Sequence, residues 1–160
     1  MLTWIGTLAR LALGGVFLVA GALKVGDPDA SVRAVQAYRL LPTDVAEVVG
    51  YVLPAVEIGL GLLLLLGLMT RVAAVVALVL LVAFVIGVSS AWARGLSIDC
   101  GCFGGGGEVA PGATRYVEEL VRDAGLIIAA VFLILRPQTR FALDRSGDRR
   151  EVPTPEEVAA

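Results

Sequence analysis

Cys100, Gly101 and Cys102 stand together in a glycine-rich stretch, and the chain has no other cysteine. Two thiols one residue apart can bridge only where the backbone bends tightly, because disulfide-linked Cα atoms lie about 4.4–6.8 Å apart. The glycine between them supplies that freedom. A ring so small is strained, and strained disulfides are the exchangeable ones. It also closes too short a loop to add much chain-entropy stabilisation. The chemistry expected is thiol–disulfide exchange, with Cys100 and Cys102 as the catalytic pair. A structural turn with inert thiols and a linear Cu(I) site are the blander alternatives. Two thiolates without a histidine or a third cysteine make a poor zinc site, so no metal is assigned. Asp99 borders Cys100 and should disfavour its thiolate, which leaves Cys102 as the more easily ionised thiol. Lys24 and Arg94 could stabilise either.

The segments that must carry this pair are hydrophobic. Of 160 residues 58% are apolar, with a mean hydropathy of +0.85, above the 45–50% apolar content usual for soluble domains. A bilayer crossing takes about 20 apolar residues. Four segments reach that scale: Trp4 to Val25, Val48 to Met69, Val72 to Ala93 and Leu120 to Leu135. Although Ala20-Gly21-Ala22 resembles a cleavage site, no charge precedes the first run and Arg10 lies inside it, so it is read as a retained span. The chain holds no histidine, which excludes imidazole catalysis. No basic stripe or nucleic-acid module is visible, so nucleic acid is not an expected partner.

Arg136, Arg140, Arg145, Arg149, Arg150 and Arg71 bias the tail and the second loop towards the cytoplasm. Both termini are then cytoplasmic, and the cysteine loop is extracytoplasmic, where disulfides persist. In the first outer loop, Asp27-Pro28 is a helix-start signal. It predicts a short interfacial helix over Ala30 to Leu41, closed by Pro42 and lying on the membrane surface. A second helix entry is expected near Thr114. The fold expected is all-α: a four-helix transmembrane bundle of residues 1–141, followed by a disordered cytoplasmic tail, 142–160.

Glu57 falls near the middle of the second expected span. An ionisable group at that depth needs a partner, and Arg10, two turns into the first span, is expected to provide it. Such a pair fixes helix register in the plainer reading. In the functional one, Glu57 relays a proton or contacts a quinone. Tyr51 and Trp92 are read as interfacial anchors, Arg122 and Asp123 as interfacial charges, and the glycines of the first two spans as packing residues.

Arg10-Leu11-Ala12-Leu13-Gly14-Gly15-Val16-Phe17, with Gly21 and Lys24, resembles the opening of DoxX-like membrane proteins. Tyr38-Arg39-Leu40-Leu41-Pro42, Leu53-Pro54-Ala55-Val56-Glu57-Ile58 and Ile98-Asp99-Cys100-Gly101-Cys102-Phe103-Gly104 are similar to the methylamine utilisation protein E (MauE) branch. The resemblance covers about residues 5–135. It implies a four-helix membrane protein working with an extracytoplasmic thioredoxin-fold partner, and an association with maturation of a disulfide-rich dehydrogenase subunit. It also implies an analogy with enzymes that pass electrons from thiols to quinone. Those enzymes commonly carry a second cysteine pair, which this chain lacks. By position the redox pair is Cys100 and Cys102, and Arg10, Lys24 and Glu57 are the polar framework. The function expected is a membrane thiol–disulfide oxidoreductase with quinone as a possible acceptor. The alternative is a non-catalytic assembly factor or anchor for a redox partner.

Overall fold

The computed structural model of the protein describes residues 2–103, 105–110, 112–136 and 143. The expected disordered tail, apart from residue 143, lies outside the described residues, and so do Arg140, Arg145, Arg149 and Arg150. The chain runs α1 (Leu2–Val25), α2 (Pro28–Ala37), α3 (Thr43–Leu66), α4 (Thr70–Ala93), β1 (Ile98–Asp99), β2 (Gly107–Glu108) and α5 (Tyr116–Leu135). Among the described residues, three helices are long and apolar enough to cross a membrane: Thr3–Val25, Thr43–Leu66 and Thr70–Ala93. The fourth long helix, α5, carries Glu118, Glu119, Arg122 and Asp123 in its first two turns, ahead of an uncharged stretch to Leu135.

The four long helices close a ring: α1 packs along α3, α3 on α4, α4 along α5, and α5 back on α1. Leu13, Phe17, Leu60, Leu64, Leu81 and Leu133 fill its centre with the alanines of α4. Large apolar side chains such as Leu8, Val48, Val79, Ile86 and Ile128 face outward, as they do where the solvent is lipid. The α1–α3 contact is close because of two glycines. A Cβ on Gly21 would stand 2.8 Å from the Pro54 carbonyl oxygen, and one on Gly61 would stand 2.7 Å from the Leu18 nitrogen. Small residues at such crossings let backbones approach.

Two expectations change. The protein is not purely α-helical: β1 and β2 form an antiparallel ladder with Ile98 opposite Glu108 and Asp99 opposite Gly107. Two residues per strand are too few for a periodic sequence signal. The short helix α2 starts at Pro28, with Asp27 Oδ1 accepting the Ala30 N–H at 2.9 Å. It ends at Ala37, earlier than Leu41, because the chain reverses for α3 with Arg39 at φ +50° and Pro42 as the next N-cap. Its buried face packs on α3: Ser31 Oγ donates to the Gly50 carbonyl at 2.8 Å, and Val32 fills the space a Cβ on Gly50 would need.

Candidate functional site

The cysteine loop is fastened at several points. The β ladder closes its neck. The Tyr116 hydroxyl donates to the Leu96 carbonyl at 2.6 Å and accepts the Ile98 N–H at 3.1 Å. The Tyr38 hydroxyl donates to the Cys100 carbonyl at 3.2 Å, and Arg94 Nη2 donates to the Tyr38 carbonyl at 2.5 Å. Arg39 Nη2 meets Glu108 Oε1 at 2.6 Å, tying the end of α2 to β2. At the turn, Gly101 has φ +71° and sits over Ala34 of α2, so no side chain is tolerated there. The Gly101 N–H donates to Asp99 Oδ1 at 2.9 Å, and the Cys102 N–H donates to Cys100 Sγ at 3.2 Å.

Both cysteines are free thiols in this structure and both are buried, at 7% and 8% exposure. They are unequal. The Cys100 thiol donates to Cys102, and this, with burial and the nearby negative charges of Cys102 and Glu119, pushes Cys100 well above the ordinary thiol range. The same hydrogen bond pulls Cys102 below it against the cost of burial, helped by Arg122 and Lys24 and opposed by Asp123. Cys102 is thus the more acidic thiol, but through its hydrogen bond with Cys100. Asp99 acts mainly as the acceptor that shapes the turn.

The two sulfurs also face different spaces. Cys100 lines a cleft of about 550 Å³ with Asp99, Phe103, Arg115, Glu118, Glu119 and Arg122. Cys102 lines a cavity of about 30 Å³ that runs into the bundle, walled by Phe17, Phe84, Leu126, Arg122, Asp123 and Glu57. Arg122 lies over the Phe103 ring at 4.9 Å and donates to Asp123 Oδ1 at 2.8 and 2.9 Å.

The expected Arg10–Glu57 pair is not formed. Both Glu57 oxygens accept from Lys24 Nζ, at 2.6 and 2.8 Å, and the two side chains are almost fully buried. The reason is register. Because α3 begins at Thr43, its first turns rise past the end of α1 and pack on α2. Glu57 is therefore level with the last turn of α1. Arg10 is 14 residues from Lys24, about 21 Å away along the helix, buried towards the opposite end of the bundle. Arg94, the other cation considered for the thiolates, is engaged with the Ser90 and Tyr38 carbonyls. The cations near Cys102 are Lys24 and Arg122.

The donor atoms of Asp99, Cys100 and Glu119 lie within 4.8 Å of one another. They are one sulfur and two carboxylates, and Asp99 already accepts the Gly101 N–H. The cavity beside Cys102 holds about 30 Å³, against the roughly 150 Å³ that accommodates a benzene ring.

The sequence reading missed Tyr116, Ala34 and Glu119, and it did not foresee that Arg122 and Asp123 also lie against Cys102. The available signal was a charged pair interrupting an apolar helix. Among curated proteins and solved structures, none matches the chain. The family model described as methylamine utilisation protein MauE matches residues 2–136. That match spans most of the sequence, and the protein belongs to the MauE family of membrane proteins.

Proposed function

We propose that this protein is a membrane thiol–disulfide oxidoreductase that exchanges a disulfide with an extracytoplasmic thioredoxin-fold partner. The observation that carries the reading is the division of labour between the two sulfurs. Cys100 opens on a cleft, and Cys102 is the acidic thiol turned into the bundle. In the oxidised form a partner thiolate attacks Cys100 Sγ from the cleft. The Cys100–Cys102 bond breaks, a mixed disulfide forms at Cys100, and Cys102 leaves as the thiolate. The more acidic thiol is the better leaving group. A second partner thiol then displaces Cys100. The partner ends as a disulfide and this protein as a dithiol, with two electrons transferred. The reverse sequence reduces the partner. Turnover requires a two-electron acceptor in the membrane, a role that a quinone would fill.

The same reading places α5 as a fourth, shorter span, with its charged first turns at the extracytoplasmic surface beside the cysteine loop and α2 at the interface. Both termini are then cytoplasmic, and the protein sits in the plasma membrane. The family's name directs the search for a client towards proteins of methylamine utilisation.

The deciding experiment is trapping with single-cysteine variants in membranes. Cys102→Ser should accumulate a mixed disulfide through Cys100, and Cys100→Ser should not. Labelling with a membrane-impermeant maleimide in intact cells reports the side of the loop. Full client maturation by the Cys100→Ser/Cys102→Ser variant would overturn the exchange reading in favour of a non-catalytic assembly factor or anchor.

A further inference from the structure

The cavity on the bundle side of Cys102 is also walled by Glu57. Glu57 is bound through both oxygens to Lys24, whose ammonium also lies over the Phe84 ring, another wall of that cavity, at 5.8 Å. Asp123 lines the same space. Its Oδ1 is taken by Arg122, while its Oδ2 is buried and accepts no hydrogen bond from any described residue. The volume, about 30 Å³, is enough for one water molecule. A thiol, a carboxylate and an orphaned carboxylate oxygen thus surround a water-sized space between the cysteine pair and the buried ion pair.

We propose that Cys102 and Glu57 share one mobile proton across this cavity, with Lys24 as the fixed cation for whichever of the two is the anion. The reason is charge balance. A thiolate formed beside Glu57 would add a second anion to a dry region that holds one cation for it, and buried charge without a counter-ion is costly. If the proton leaving Cys102 Sγ is taken up by a Glu57 oxygen, the S–H bond breaks and an O–H bond forms. The local charge is then unchanged: Lys24 exchanges a carboxylate partner for a thiolate. The other groups facing Cys102 do not serve this role. Arg122 from α5 faces Cys102 as well as Asp123, but its charge is already balanced by the Asp123 carboxylate beside it. Glu119 lies on the other side, lining the outer cleft with Cys100. Asp99 holds the Gly101 N–H, and Tyr38, after α2, donates to the Cys100 carbonyl. The inference deepens the exchange reading, since Cys102 is the leaving thiolate there. It is tested without any partner, so either can fail alone.

The test is the pH dependence of Cys102 alkylation by iodoacetamide in the purified Cys100→Ser protein, each rate scaled to its high-pH limit so that access cancels. A lone thiol loses about tenfold in rate for each pH unit below its titration. A thiol sharing a proton with a carboxylate titrates as a pair, and its rate levels off at a plateau set by the internal proton distribution. The expected result is that plateau in the parent protein, its replacement by a single-proton curve in Glu57→Gln, and a slower rate without a plateau in Lys24→Met. Should a single variant fail to fold, the neutral Lys24→Met/Glu57→Gln pair supplies the same comparison and should also lack the plateau. A parent curve that falls tenfold per unit throughout, or a plateau that survives Glu57→Gln, overturns the proposal.

Discussion

Lys24 Nζ is bound by both carboxylate oxygens of Glu57, at 2.6 and 2.8 Å, in the part of the bundle directly beneath the cysteine loop. The pair joins the last turn of α1 to the middle of α3 where the two helices are closest. Removing one member leaves the other charged and buried, a change that costs about 3–5 kcal/mol, whereas replacing both by neutral side chains of similar size is often harmless. Lys24→Met and Glu57→Gln should each unfold at clearly lower temperature in detergent, and the double variant should recover most of the loss. Equal destabilisation of the single and double variants would show that the pair acts only through its packing.

The two thiols should be distinguishable by alkylation of the dithiol protein. Cys102 lies below the ordinary thiol value of 9.0, because it accepts from Cys100 and is helped by Arg122 and Lys24. Cys100 lies above it. Lowering a thiol's titration enlarges its thiolate fraction at pH below 9, so peptide mapping after brief treatment near pH 8 should find the label on Cys102. As pH falls the labelling should slow, with Cys102 still ahead of Cys100. Preferential labelling of Cys100 would reverse the assignment of the leaving thiol.

Gly101→Ala should open the loop. Its φ of +71° is a left-handed conformation, and the new Cβ would run into Ala34. The backbone term alone is about 1–2 kcal/mol. The expected outcome is faster alkylation of both cysteines with the helical content unchanged by circular dichroism.

Tyr116→Phe removes a hydroxyl that serves the Leu96 carbonyl and the Ile98 N–H together. Unpaired buried groups cost about 1–3 kcal/mol. Hydrogen exchange should accelerate at Ile98 and through the β1–β2 ladder, while the amides of α1 and α3 stay protected.

The helices were legible because runs of Leu, Val and Ala long enough to cross a bilayer have few other uses. The closeness of Cys100 and Cys102 was legible because two residues one apart in a glycine turn must lie together, whatever their chemistry. The partner of Glu57 was not. Thr43, Asp44 and Glu47 look like loop residues, so the second span was taken to start at Val48 and its midpoint was set too deep. The helix in fact starts at Thr43, and that shift moves Glu57 from the level of the bundle's middle to that of Lys24. Arg122 and Asp123 were hidden for a related reason. Charges near the start of a span look like boundary markers, and only the inward fold of the cysteine loop brings Cys102 onto them.

Ala34 occupies the space that a Cβ at Gly101 or at Gly106 would need. Three positions on two separate stretches of chain are thereby bound into one inherited unit. A lineage that enlarges any of them must first lift α2 away from the loop, losing the seat of Val32 over Gly50 as it does so. Related sequences should therefore vary at 34, 101 and 106 in concert or not at all, and a library that randomises the loop while leaving α2 fixed should return glycine at both loop positions.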